Sequence, residues 1–405
     1  MFELQYWLDP WYAFRVRWEK PLRLYLQPWV SYNKHVGGGT VQRTRIVVKV
    51  GSSSLTDPLS GLLSLDRVHM VADQLAAILP DPSYEVILVS SGAIAAGRAR
   101  LGWNATRTLP EKQAASAVGQ SLLIEMYQRE FACQGRIVAQ ILLTRSDMED
   151  RRRFVNIRNT LETLLAANVL PIVNENDTVS VNEIRFGDND TLAALVAILI
   201  CAQHLILLTD IDGLYTEDPR SDPQARRIVE VANIDSYVRT LGGDSGSSVG
   251  TGGMRTKIRA AEMATASGIA VSIAAASEPN VIQRLLLGEE VGTRFVARKD
   301  RLNARQSWLA HGSRSTGRLF VDEGAVNALR KAGGSLLAPG IERIEGQFDE
   351  GAIVDLMDSH GECIGKGIVS LSAHDLEYFV TMRSNRDQLR GLPEVVHRND
   401  MALLS

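Results

Sequence analysis

The sequence predicts an α/β protein: a three-layer αβα sandwich built on a mainly parallel open sheet, followed by a small β-rich domain. Three observations carry this reading. From residue 45 to about 276, short β-branched runs alternate with longer helical patterns, the order of elements that a parallel sheet requires. The runs are apolar nearly throughout, as strands are when helices cover both faces of their sheet. After residue 298 the pattern changes to short strands and glycine-punctuated turns, and 405 residues exceed what one hydrophobic core usually supports.

The expected strands are RIVVKV (45–50), EVILVSS (85–91), IVAQILL (137–143), VLPIVN (169–174), HLILLTD (204–210) and AVSIAAA (270–276). Segments 65–79, 111–133, 153–168, 190–202 and 255–267 have helical length and, mostly, helical spacing. This divides the chain into an N-terminal extension (1–43), an α/β domain (44–298), a polar linker (299–315), a β-rich domain (316–396) and a tail (397–405). The extension holds ten of the 24 aromatic residues within its first 35 positions, yet charges and prolines interrupt every apolar run. It therefore reads neither as a secretory h-region nor as a membrane span. It is expected to be dispensable or disordered, with an aromatic docking segment as the alternative.

Composition excludes several function classes. A formal net charge of −3 provides no general attraction to nucleic acid or to an anionic membrane. Cys133, Cys201 and Cys363 are far apart and odd in number, which argues against a disulfide framework or a CxxC metal site and for a reducing cytoplasm. The seven histidines form no HExxH pair, so no metal site made by the protein alone is expected.

Open parallel sheets bind ligands beyond the carboxyl ends of their strands. After the first strand comes KVGSSSLTD, where Lys49 precedes small residues whose backbone N–H groups can turn toward one anion. After the second comes SSGAIAAG, containing Ser91, a second glycine turn that opens a helix. The fourth loop, NENDTVSVNEIRFGDND (174–190), is rich in carboxylates and asparagines and suits an ammonium group, a metal, or both; a solvated acidic loop is the alternative. The fifth, LLTDIDGLYTEDP, places Asp210 and Asp212 at a strand end, followed by Tyr215, which could flank a base or ribose. Finally GTGGMRTK opens a helix with Arg255 and Lys257 in its first turn, where positive charge opposes the helix dipole unless an anion is near. Neither GxxxxGK[ST] nor a GxGxxG after a strand occurs. The active edge therefore suits a nucleoside triphosphate facing a small zwitterion.

VVKVGSSSLT, SSGAIAAG, LLTRSDMEDRRRFVNIRNTL, PIVNENDTV, GDNDTLAALVA, LLTDIDGLYTEDPRSDPQA and GTGGMRTKIRAA, in that order, resemble the motifs of the glutamate 5-kinases, a branch of the amino acid kinase family. The segment from 318 to about 396 resembles a PUA domain. This resemblance implies ATP-dependent phosphorylation of the γ-carboxylate of L-glutamate to L-glutamyl 5-phosphate, the first step of proline biosynthesis. It further implies Mg²⁺ as cofactor, feedback inhibition by proline, and a homo-oligomer. Residue by residue, Lys49 and Lys257 would be catalytic. Lys49, Thr209, Asp210 and the loop Thr251, Gly252, Gly253, Met254, Arg255, Thr256 and Lys257 would bind ATP, and Ser91, Asp177 and Asn189 would bind glutamate. The chemistry is consistent: a carboxylate with an ordinary pKa of about 4.3 is already ionised at neutral pH and needs no catalytic base. What it needs is cancellation of negative charge. The alternatives are a kinase of another small carboxylate, or RNA binding through the C-terminal domain. The second is disfavoured by eight Lys/Arg against twelve Asp/Glu between residues 316 and 390.

Overall fold

The computed structural model describes residues 43–106, 108–180, 188–242, 253–299, 302–332, 334–381 and 394–404; the N-terminal extension up to residue 42 lies outside them. The first domain runs β1 (Thr44–Val50), α1 (Ser52–Leu55), α2 (Leu65–Ala76), β2 (Tyr84–Ser90), α3 (Ala93–Leu101), α4 (Leu109–Ala132), β3 (Val138–Leu143), α5 (Arg145–Glu149), α6 (Arg151–Ala166) and β4 (Leu170–Glu175). It continues through α7 (Asn189–Leu199), β5 (His204–Thr209), the short strands β6 (Leu214–Tyr215), β7 (Arg227–Ile228) and β8 (Glu230–Val231), α8 (Ser236–Thr240), α9 (Met254–Ala266), β9 (Ala270–Ala275), α10 (Val281–Leu286) and β10 (Thr293–Phe295). All six expected strands form, with ends displaced by one residue at most. The strands of two or three residues were not anticipated, because two side chains cannot display a period.

The main sheet has the order β3-β4-β2-β1-β5-β9-β10-β8, parallel except for the β9–β10 pair. Alternation along β1 sends Ile46, Val48 and Val50 into one core with α2, α4 and α10, and Val47 into the other with α6, α7 and α9. Both faces are thus covered, which is why the strands are apolar throughout.

Helices α3 and α4 pack with almost no space between their backbones. A β-carbon at Gly97 would lie 1.7 Å from the Ala115 carbonyl oxygen, and one at Gly119 would lie 1.8 Å from that of Ala93. Helix α4 is fixed at its start by a capping box, in which Thr108 accepts from the Glu111 amide and Glu111 from the Thr108 amide.

The C-terminal region comprises α11 (Ala304–Ser307) and a π-helical turn (Trp308–Gly312), then β11 (Gly317–Val321), α12 (Glu323–Ala332), β12 (Leu336–Leu337), β13 (Ile341–Glu345), β14 (Ile353–Met357), β15 (Cys363–Ile368), α13 (Ala373–Thr381), β16 (Glu394–Val396) and β17 (Met401–Leu403). Its sheet runs β13-β11-β14-β15-β17 around a separate core. Two segments differ from expectation. The segment read as a linker buries Trp308, whose Nε1 donates to the Met148 carbonyl at 3.0 Å and whose ring meets Phe154 edge-on. An interior indole needs such an acceptor for its N–H. The segment read as a tail contributes the edge strand β17, with Met401 and Ala402 buried.

Two stability predictions follow from this packing. Gly119→Ala should cost roughly 1–3 kcal/mol or more in urea unfolding, because the added methyl forces α3 and α4 apart. An unchanged midpoint would mean that the helices separate without penalty. His204 lies at the start of β5, its Nε2 3.0 Å from Ser272 Oγ, and burial, aided by the charge of Arg294, lowers its pKa from 6.5 to about 4. The unfolded chain binds this proton near pH 6.5 and the folded chain only near 4, so stability should fall as pH drops through that window. His204→Gln should flatten the decline in Tm over the same range. The remaining slope should include His311, whose pKa burial likewise lowers to about 4.

Candidate active site

The strand order locates the site. From β1 the chain builds β2, β3 and β4 on one side, then returns to place β5 and β9 on the other, so the crevice opens beyond the ends of β1 and β5. Lys49, next to last in β1, shares the Val47 face and points at α7 and α9. Its Nζ lies 2.5 Å from Asp190 Oδ1, in the first turn of α7. Asp190 Oδ2 lies 3.1 Å from Lys257 Nζ and accepts from Thr256 Oγ1 at 2.9 Å, both from the first turn of α9. Asp190 is 0% exposed, and Lys49 and Lys257 are each 5% exposed. Burial alone would raise the pKa of Asp190, but the two ammonium groups and the hydrogen bonds from Lys49 and Thr256 outweigh it and hold the carboxyl below its usual range. The result is a buried carboxylate anchoring two cations, Lys49 on one oxygen and Lys257 on the other. Asp188, which caps α7 through the Thr191 amide at 2.7 Å, shifts the other way: burial and the neighbouring Asp190 charge raise it.

A second, polar cluster adjoins the first. Gly92, at φ +106°, turns the chain after β2 so that α3 can start and Ser91 faces the crevice. Asn189 Nδ2 donates within reach of Ser91 Oγ at 2.7 Å, Asn174 Oδ1 at 3.0 Å and the Ser90 carbonyl at 3.2 Å. Asn174 is buried at the end of β4, its Oδ1 also accepting from the Glu175 amide at 2.9 Å and its Nδ2 donating to Gln120 Oε1 at 2.8 Å. Beneath them, the Ser90 and Tyr127 hydroxyls are 2.9 Å apart. Asn189 and Asp190 are consecutive, so one turn of α7 serves both clusters.

On the β5 side, buried Thr209 donates from Oγ1 to Asp210 Oδ1 at 2.9 Å, and Asp210 is exposed. Tyr215 donates to Asp212 Oδ1 at 2.8 Å, and Asp212 Oδ2 accepts from Arg227 at 3.0 Å. Helix α9 starts after Gly253 with no side-chain cap; Met254 is half-buried and Arg255 exposed. Thr251 and Gly252 lie outside the described residues. Asp177 is half-buried in the loop after β4.

The structure therefore brings together Lys49 with Lys257 and Thr256, and Ser91 with Asn189, as the loop positions suggested. Sequence reasoning missed Asp190 and Asn174. The signal for Asp190 was present: two lysines expected at one anion require a counter-charge, and GDND supplies it.

Residues 44–275 match the amino acid kinase family and residues 317–386 the PUA domain. The chain is 45% identical over 370 residues to the glutamate 5-kinase of Vibrio parahaemolyticus, covering 90% of this chain and 97% of that one. It is 46% identical over 367 residues to the glutamate 5-kinase of Shewanella sediminis, covering 89% and 98%, and 46% identical over 365 residues to that of Carboxydothermus hydrogenoformans, covering 89% and 97%. With the parallel sheet and the lysine-bearing crevice at its switch point, these matches show that the chain belongs to the amino acid kinase family, within its glutamate 5-kinase branch.

Proposed function

We propose that the chain transfers the γ-phosphoryl group of ATP to the γ-carboxylate of L-glutamate, giving L-glutamyl 5-phosphate and ADP. The observation that carries this reading is the junction of the two clusters at Asn189 and Asp190. One side offers neutral hydrogen-bonding groups and the other two buried cations. A carboxylate oxygen of glutamate forms the new bond to phosphorus while the bond to the β,γ-bridging oxygen of ADP breaks. Both reactants are anions, so the barrier is lowered chiefly by positive charge placed where the transferring phosphoryl oxygens will be.

Lys49 and Lys257 supply that charge, and Asp190 holds the two ammonium groups at a fixed separation inside a site that excludes water. Without the carboxylate, two like charges in a buried space would repel and lose hydration. Ser91 and Asn189, with Asp177 in the adjoining loop, orient the α-amino and α-carboxylate groups of glutamate. Thr209 and Asp210 and the segment from Thr251 to Lys257 take the nucleotide. Mg²⁺ bound together with the nucleotide would neutralise phosphate charge. Proline, which also carries an α-carboxylate beside its nitrogen, is the feedback ligand we assign to the glutamate side.

Lys257→Ala should lower kcat by roughly 10²- to 10³-fold, the usual scale for one preorganised electrostatic contact, with little change in glutamate KM. Asp190→Asn should lower kcat comparably by releasing both lysines. Near-normal kcat in Lys257→Ala with only a raised ATP KM would show uniform nucleotide binding without transition-state stabilisation. Specificity tests the other cluster. In ATP-consumption assays with hydroxylamine trapping acyl phosphate, glutamate should turn over while aspartate and N-acetylglutamate should not, and Asn189→Ala should raise the KM for glutamate more than it lowers kcat. Comparable kcat/KM for N-acetylglutamate would overturn the assignment of a free α-ammonium group to this pocket.

A further inference from the structure

Away from the sheet edge, a cleft of about 1310 Å³ separates the kinase domain from the PUA domain. Its kinase wall includes Thr191 and Leu195 of α7 and Arg259 and Glu262 of α9; its other wall includes Arg330 of α12 and Lys366 of β15. Among the described residues the charge on these walls is one-sided: seven arginines and lysines, of which Arg298 has an interaction of its own, stand with two glutamates. Both glutamates are engaged within the lining, Glu149 with Arg145 at 2.9 Å and Glu262 with Arg239. Among the described residues, the lining holds no further carboxylate beside Arg259 and Arg330.

Two half-buried groups line the same cleft. Lys366 Nζ donates to the Ser313 carbonyl at 2.7 Å, a neutral acceptor, and burial pulls its pKa below the usual lysine range despite Asp355, Cys363 and Glu149 nearby. His311 also lines the cleft, and among the described residues its buried Nε2 has no hydrogen-bond partner. Burial and the charges of Lys366 and Arg259 keep it neutral. A buried nitrogen without a partner among the described residues, beside a surplus of arginines and lysines over carboxylates, is an arrangement that a bound anion would relieve.

We propose that this cleft is a binding site for a small polyanion, a phosphate ester or polyphosphate with at least two negative charges, separate from the site at the sheet edge. Its positive charge is gathered inside an interdomain cleft, while the β-rich domain as a whole is acidic, with eight Lys/Arg against twelve Asp/Glu from 316 to 390. A nucleic-acid backbone would call for a continuous basic stripe instead. The cleft shares α7 and α9 with the lysine–aspartate cluster, so an occupant would touch the same two helices whose first turns hold Asp190 and Lys257. The binding itself does not rest on the kinase assignment.

The test is calorimetric titration of the full chain with inorganic pyrophosphate in the absence of magnesium, alongside Arg259→Gln/Arg330→Gln and Lys257→Ala. Both arginines of the double variant are exposed, so the fold should persist. Wild type should show a class of binding that survives Lys257→Ala, weakens roughly tenfold or more in the double variant, and weakens with added salt. Glutamate-dependent ATP turnover of the double variant without pyrophosphate should equal that of wild type. Binding that disappears in Lys257→Ala and is unaffected in the double variant would place the only anion site at the sheet edge and overturn the proposal. So would a cleft that takes no pyrophosphate but binds a single-stranded RNA oligonucleotide through the same arginines.

Discussion

The buried carboxylate of Asp190 is the constraint on which the rest of the site depends. Two lysines from distant parts of the chain converge on its two oxygens, one from β1 and one from α9, and none of the three is appreciably exposed. Such a group is stable only if each element arrives in register: β1 must present Lys49 on the α7 face, α7 must begin at Asn189, and α9 must begin at Met254. An error of one residue in β1 would send the lysine into the opposite core. The geometry of this cluster and the folding of the domain are therefore set by the same contacts, and the cost of burying three charges is offset by their mutual attraction and the hydroxyl of Thr256.

The architecture was legible where the sequence carries a period. Five buried strands and the half-buried edge strand β3 appear as six apolar runs, and the long helices between them keep their spacing. The site was legible as a set of loops, because a parallel sheet collects its strand ends at one edge. Asp190 was not singled out, since Asp188 and Asp190 are equivalent in GDND until α9 approaches. Only then is one a helix cap with a raised pKa and the other a counter-ion with a lowered one. Asn174 was hidden similarly: as the last polar residue of an apolar run it looks like a strand end, and its role depends on Gln120, 54 positions away.

The joint between the domains was misread for a related reason. The segment around Trp308 is polar and basic along the chain, yet its indole is anchored on Met148, 160 positions earlier. Arg151 lies over that ring, with its guanidinium carbon 5.1 Å from the centroid. Edge strand β17 needs β15 beside it to exist at all, because three residues at a chain end bury little by themselves. Long-range partners decided both segments, and no local pattern encodes a partner.

The adjacency of Asn189 and Asp190 has a consequence for how such an enzyme could change its substrate. On the proposed reading, a single peptide unit separates the residue assigned to the acceptor pocket from the residue holding the cations assigned to the phosphoryl group, and it lies in the first turn of a helix whose interior is nearly all buried. It behaves as a rigid ruler: the distance between acceptor and donor cannot be lengthened or shortened without displacing both lysines. On the same reading, acceptance of a shorter or bulkier acid would have to arise elsewhere around the pocket, in the loops that carry Ser91 and Asp177, while the ruler stays fixed.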